Sequence, residues 1–449
     1  MLAVLLVLLL SASTSFAAGF RLPEAGVKAM GMGFAFTAQA DDPSAIYFNP
    51  AGLTQLKGNN IMLGGTYVQE NGGTFTGTTP LGTGTETQKD LVFFIPNMYY
   101  TYTDKGGWVS FGVGVFSPFG LGQEYQNRNT SLFRTAVTKI DLQTVVVNPT
   151  IAFKIVEGVS VGFGIDFMYA KAELARTSVI NNSFPPANTP LNLYNLDMEG
   201  DGTAWGYNFG ILLTPTPNFR VGANFRSPFT VTIKNGEVDI TNISGNPIAF
   251  ITGTPPGTFP GVVKPASASP AGNSFETTGS TKLNLPATAA IGMAYNWNRL
   301  TVEADLDWTF WSSWQRLDID IKDQGALLAD INSARLWQNV MAFRIGAEYR
   351  VTDPLALRVG FVYDPTPVPA ETMDAFLPDA DRYNYMVGAG YKIGAWTIDG
   401  AFMYVDKKDR TVNNLAGTGG ATFPSYGSGF NGTWTGDAWL AGLDISYKF

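Results

Sequence analysis

From residue 60 to the last residue the chain repeats one pattern. Apolar side chains alternate with polar or small ones, the period of a strand whose two faces meet different surroundings. Val159, Val161, Phe163, Ile165, Phe167 and Tyr169 share one face, opposite Ser160, Gly162, Gly164, Asp166 and Met168. Val302, Ala304, Leu306, Trp308 and Phe310 likewise oppose Glu303, Asp305 and Asp307. Fourteen such segments lie between Asn60 and Phe449. A soluble sandwich alternates too, so connection length has to separate the two. Six tight links, "TDKGG", "IVEGV", "TPTPN", "NWNR", "VTDP" and "KIGAW", alternate with seven longer ones, the longest running from Gly236 to Gly279. All turns then fall at one end and all loops at the other, as in outer-membrane barrels. Several segments exceed the roughly 9 to 11 residues a tilted strand needs to cross hydrocarbon, so the barrel is expected to project beyond the outer leaflet.

Composition agrees with that reading. Fifty Gly, many aromatic residues and 15% charged residues suit numerous strands and tight turns. A mean hydropathy of +0.04 is too low for a helical membrane protein. The unbroken apolar run "MLAVLLVLLL" is too short to span a bilayer and reads as the core of a signal peptide over residues 1–17, with Ser15 and Ala17 at the positions a peptidase reads. No Lys or Arg precedes it, which departs from the usual leader. With no Cys and no His, thiolate or imidazole catalysis, the usual zinc sites and disulfides are excluded. No cofactor or metal is expected. A net charge of -8 argues against a nucleic-acid partner, and no Walker-type loop supplies an energy source.

The two ends differ from the body. At the C-terminus Trp439, Ala441, Leu443, Ile445, Tyr447 and Phe449 share one face and the final residue is aromatic. This strand is similar to those that outer-membrane assembly machinery recognises. At the other end "DDPSAIYFNPAGLTQL", Asp41 to Leu56, reads as helix starts and stops: Asp42 suits an N-cap, Pro43 a first helical position, and Asn49-Pro50 an interruption that Pro50-Ala51 restarts. Gly26, Gly31 and Gly33 suit a tightly packed segment.

At "NPAGL", preceded by "ADDPSAIYF" and "AGFRLPEAG", the chain resembles the FadL family of outer-membrane channels for hydrophobic compounds. The likeness runs on through "SPFGLGQEY", "LNLPATAAIGMAY", "DWTFWSSWQRL" and "RVGFVYDPTPVPAETMDAFLPDADRYNYMVGAGYKI" to the last strand. It implies an all-β fold, a 14-stranded antiparallel transmembrane β-barrel over residues 57–449 whose lumen is plugged by a helical hatch at 18–56. It also implies a monomer that takes up long-chain fatty acids or hydrocarbons passively, without enzymatic activity, by capture between loops, passage through an apolar pocket and sideways release. Asn49, Pro50 and Ala51 match the family's hatch motif. The kinked third strand that makes the lateral opening falls on Trp108 to Phe116, where Gly114, Pro118 and Gly120 suit a bend, though Pro118 equally suits the start of a loop. Phe119, Leu121, Tyr125, Leu132 and Phe133, at roughly helical spacing, suit ligand capture or packing of their own loop.

"YAKAELAR" is similar to a family segment ending in an Arg that meets the ligand carboxylate, here Arg176. Arg176 shares parity with Asp166 and Met168 and is expected in the lumen, to bind ligand or to pair with a luminal carboxylate. The family's second basic residue falls on Asp318, which cannot hold a carboxylate. Arg316, two residues away, is the candidate substitute, and the change leaves room for an uncharged aromatic or alkane substrate. "LDIDIKD", with Asp318, Asp320 and Asp323, lacks the turn of a calcium loop and reads as a solvated strand end. "DKKDR", Asp406 to Arg410, is expected at the outer rim, where cations meet lipopolysaccharide phosphates among the outer-membrane lipids. A polar-solute porin is the alternative class, against which the hatch at 18–56 speaks; an enzyme or adhesin comes third.

Overall fold

The computed structural model describes residues 19–181, 190–243, 274–322, 330–414 and 429–449. The leader read at 1–17, Asp323 and the middle of the 236–279 connection lie outside these. Among the described residues fourteen strands close into one antiparallel barrel. They are β1 (Gly58–Thr79), β2 (Leu91–Thr103), β3 (Val109–Phe116, resuming as Gly120–Glu124), β4 (Lys139–Val156) and β5 (Val159–Asn181). Next come β6 (Pro190–Thr216), β7 (Phe219–Arg226, then Phe229–Asn242), β8 (Ser274–Leu285, then Thr288–Trp297) and β9 (Leu300–Thr309). The last are β10 (Val340–Arg350), β11 (Leu355–Asp364), β12 (Arg382–Ile393), β13 (Trp396–Lys407) and β14 (Asn431–Lys448). Strands adjacent in sequence pair, and β1 closes on β14 from Asn60↔Lys448 to Thr78↔Asn431.

The alternation read from the sequence is the alternation of the wall. Phe163 and Ile165 face outward and are exposed, whereas Asp166 and Met168 on the same strand are fully buried inside. Trp108, Trp297, Tyr349, Trp396 and Phe449 ring the end that carries the tight turns, which is the periplasmic end. A second belt, with Phe167 against Trp205 at 4.8 Å and Tyr67 against Trp439 at 5.3 Å, lies farther up the same strands. Lipid fills the band between the belts. β5 and β6, at 23 and 27 residues, are longer than a crossing needs and rise well above it.

The turns themselves are tightly made. Gly394 holds a left-handed φ of 61°. In the turn after β2 the Asp104 carboxylate accepts from the N–H groups of Val109, Gly106 and Trp108 at 3.0, 3.1 and 2.6 Å, which holds its pKa below the usual carboxylate value. Two loop expectations need correction. Strand structure continues into the 236–279 connection as far as Asn242 and returns at Ser274, because β7 and β8 pair from Gly236↔Gly279 to Thr241↔Ser274. Phe119 to Thr138 is not helical either: Gly120–Glu124 pairs with β4, and the remainder turns back on itself.

Residues 19–56 fill the lumen. They contain two short helices, α1 (Val27–Gly31) and α2 (Ala45–Phe48), and a 3-10 helix, Pro50–Gln55. Asp42 accepts from the Ser44 N–H at 2.8 Å just before α2. Asn49 caps the 3-10 helix, its Oδ1 accepting from Ala51 N at 3.2 Å, while its Nδ2 donates to Thr37 O at 2.7 Å and to Ile211 O of β6 at 3.0 Å. The Asn-Pro-Ala sequence thus restarts the helix and ties it to the wall.

Luminal carboxylates supply acceptors for hatch N–H groups that short helices leave unpaired. Asp305 accepts from Phe36 N and Thr37 N, both at 3.0 Å, and Glu303 from Ala38 N and Gln39 N at 2.6 and 2.8 Å. Asp444 of β14 accepts from Val27 N at 2.6 Å. Asp307 pairs with Arg21 of the hatch and, at 3.0 Å, with Arg344 of β10.

Close approach requires glycine at Gly33, which has a φ of 65°; a Cβ there would lie 2.9 Å from Ile345 O and Phe361 N of the wall. Gly33→Ala is expected to cost about 1 to 2 kcal/mol of left-handed strain and to push the hatch off β10 and β11. In planar bilayers it should raise the small-ion current while the barrel keeps its heat-modifiable mobility. An unchanged current would show that the contact yields without consequence.

Candidate functional site

Above the hatch, the rising parts of β4 to β8 surround an apolar cavity of about 80 Å³. Leu121, Leu142, Leu174, Met198, Val238 and Leu283 line it, together with Leu317 and Ile319 from a hairpin (Arg316–Ile321 and Ile331–Ala334) that folds in from the long connection after β9. Phe20, next to the first described residue, also lines it, and its ring stands among Trp311, Trp314 and Trp337 at 4.7, 5.1 and 5.6 Å.

A wider, more polar cavity of about 420 Å³ shares Leu174, Leu317 and Phe376 with the first and contains Arg176 and Arg335. Arg335 is neutralised by Asp374 at 3.0 Å and lies over the Phe376 ring at 4.2 Å. Among the described residues no carboxylate pairs with Arg176, whose neighbour is the Tyr194 ring. An apolar cavity therefore adjoins one containing a guanidinium that has no anionic partner among the described residues.

The wall is incomplete beside the hatch. Met98 to Thr103 of β2 pair with β3, but Leu91 to Asn97 pair with β1 only. β3 breaks at residues 117–119 and turns inward: Leu22 N donates to Pro118 O at 2.8 Å and Gly120 N to Phe20 O at 2.9 Å. Above the break Lys89 N donates to Glu124 O at 2.8 Å, so the gap is closed at its top. Phe20 thus touches both the pocket and the inward kink, and Arg21 and Leu22 touch the kink.

The residues singled out from sequence fall in different places. Leu121 and Arg176 come to the cavities, whereas Phe119 is buried behind them, its ring 6.2 Å from that of Phe20. Phe133 instead stacks on Trp434 at 5.0 Å in a loop core with Phe75 and Tyr125, and Leu132 packs beside the 82–87 strand. Arg316 alternates with the inward Leu317 and faces outward, where it pairs with Asp318 at 3.1 Å; it does not reach Arg176. Pro118 sits in the kink and Gly120 where pairing resumes. Gly114 lies in the paired part of β3, opposite Tyr99, where a Cβ would meet Ile46 at 3.0 Å; its role is packing against α2. Within Asp406–Arg410, Lys407 turns inward to Pro378 O at 3.0 Å, and Arg410 holds Asp379 O and Val368 O at 2.8 and 2.7 Å, so that segment braces a loop. The sequence reading missed Phe20 and the Trp311, Trp314 and Trp337 cage, although "DWTFWSSW" carries two of those tryptophans.

Residues 8–449 match the outer membrane protein transport protein family described as OMPP1/FadL/TodX. The chain belongs to this family. It is 25% identical over 468 residues to the long-chain fatty acid transport protein of Escherichia coli O6:H1, covering 98% of this chain and 96% of that one. To outer membrane protein P1 of Haemophilus influenzae it is 26% identical over 484 residues, covering 98% and 97%. In fold it is similar to a Pseudomonas aeruginosa FadL homologue (TM-score 0.79, 21% identity, covering 96% of this chain and all of that one). The Ralstonia pickettii toluene transporter TbuX has the same fold (TM-score 0.65, 19% identity, covering 95% and 99%). Family membership and the closed barrel place the chain in the outer membrane as a transporter of hydrophobic compounds.

Proposed function

We propose that this transporter takes up long-chain fatty acids, capturing them among the outer loops, holding the tail in the apolar cavity with the carboxylate at Arg176, and releasing them through the gap beside Leu91 to Asn97. The observation that supports the reading is the junction of the two cavities at Leu174, Leu317 and Phe376, where apolar lining meets the cavity that contains Arg176, with no carboxylate paired to it among the described residues. An aromatic hydrocarbon is the second reading, favoured by the aromatic cage around Phe20, which holds a phenyl ring at edge-to-face distances. Mass spectrometry of the purified protein should find bound long-chain acids. Finding only neutral aromatics or alkanes would favour the second reading, and failure of either class to bind or cross would overturn both.

A further inference from the structure

Above the lipid band, one sector of the barrel exterior is covered by threonine hydroxyls in register. Gly82–Thr87 pairs with the top of β1, β1 with β14, and β14 with Arg410–Val412. The rows across these strands read Thr83, Thr78, Asn431; then Thr85, Thr76, Thr433, Thr411; then Thr87, Thr74, Thr435. Rows repeat about every 6.8 Å along a strand and columns about every 4.8 Å across them. The hydroxyls are aligned by their neighbours: Thr76 with Thr85 at 3.2 Å, Thr78 with Thr83 at 2.9 Å and Thr411 with Thr433 at 2.8 Å. Behind them Phe75, Trp434 and Phe133 form a packed core, so the face has a rigid back.

We infer that this face binds the saccharide chains of the outer leaflet's lipopolysaccharide. The occupant follows from position: on β1 and β14 the outward face carries Leu63, Tyr67, Leu443 and Trp439, which face lipid, then a polar step at Asn71 and Asp437, and beyond the bulge between Asn71 and Thr74 the threonines. What touches them is the layer directly above the headgroups. The rows contain no Asp, Glu, Lys or Arg, which suits neutral hydroxyls and not phosphates, and each threonine hydroxyl both donates and accepts, as a sugar hydroxyl does. The contrast lies on the opposite sector, where Glu173, Glu199 and Glu237, and Asp197, Asp239 and Glu276, stand in cross-strand rows. Single exposed hydroxyl contacts are weak in water. Many in register, offered to chains anchored in the same leaflet, gain from high effective concentration.

The test titrates purified full-length protein in detergent with delipidated core oligosaccharide, and separately with lipid A lacking saccharide. Wild type should bind the oligosaccharide saturably. The combined variant Thr76→Val, Thr85→Val, Thr411→Val and Thr433→Val, which keeps shape and strand propensity, should lose about tenfold, the equivalent of one to two neutral hydrogen bonds. The matching Thr→Ser set should retain binding, and lipid A should not distinguish the variants. Absence of saturable oligosaccharide binding by wild type would overturn the inference. Equal oligosaccharide binding by wild type and a heat-modifiable valine variant would do the same.

Discussion

A protein lacking residues 19–54 should still fold as a barrel and should conduct small ions many-fold better than the intact chain. The wall is self-sufficient: its ladder closes through β1 and β14, and among the described residues the hatch contributes to that ladder only the bridge of Arg21 to Phe119. What the hatch removes on leaving is occlusion and cation partners. Asp307 loses Arg21, Glu348 loses Lys28, and Glu303, Asp305 and Asp444 lose hatch N–H donors. Those carboxylates would then face water in a wide lumen, where solvation offsets most of the lost bonding. The opened pore is therefore expected to favour cations as well as to conduct. Planar-bilayer recordings would measure both. Conductance equal to wild type would mean that the segment does not plug the pore, and anion preference would mean that the luminal carboxylates are not its lining.

Within the membrane the sequence was readable because lipid and lumen impose opposite demands on successive residues. Phe163 and Asp166, or Val302 and Glu303, cannot exchange places, so parity alone placed them. Above the membrane that demand disappears. Only a trace of it survives in residues 236–242, where Val238 and Ile240 point inward between Glu237, Asp239 and Thr241, a run short enough to be read as loop. For the same reason the spacing of Phe119, Leu121, Tyr125, Leu132 and Phe133 suggested a helix where the chain makes a strand and a run of turns. Arg316 shows how narrow the margin is: one residue of parity puts Leu317 in the cavity and Arg316 outside it. The site's remaining parts were illegible for a different reason. Phe20, Trp311 and Trp337 meet only because the barrel closes around the hatch, a contact between distant residues that no local period encodes. The kink in β3 was signalled by Pro118, but its inward direction depends on hydrogen bonds to Phe20 and Leu22.

Arg176→Ala should separate the two classes of ligand. In the fatty-acid reading the carboxylate forms charge-assisted bonds with this guanidinium at the end of the apolar path, whereas the tail is held by Leu121, Leu174, Met198 and Leu317. Arg176 is only half-buried, which screens the pair, so its removal is expected to cost about 2 kcal/mol and not the larger loss seen for fully desolvated pairs. That is roughly a thirtyfold weakening of a long-chain acid. An alkane of equal length fills the same cavity without needing the charge and should lose less than about twofold. Binding of both ligands to wild type and variant, measured side by side by calorimetry or by displacement of a fluorescent acyl probe, decides the matter. Equal weakening of acid and alkane would assign Arg176 a structural role in the cavity wall. If neither weakened, the carboxylate would bind elsewhere or the natural ligand would carry none, and the cage of Trp311, Trp314 and Trp337 around Phe20 would then become the part of the site that selects it.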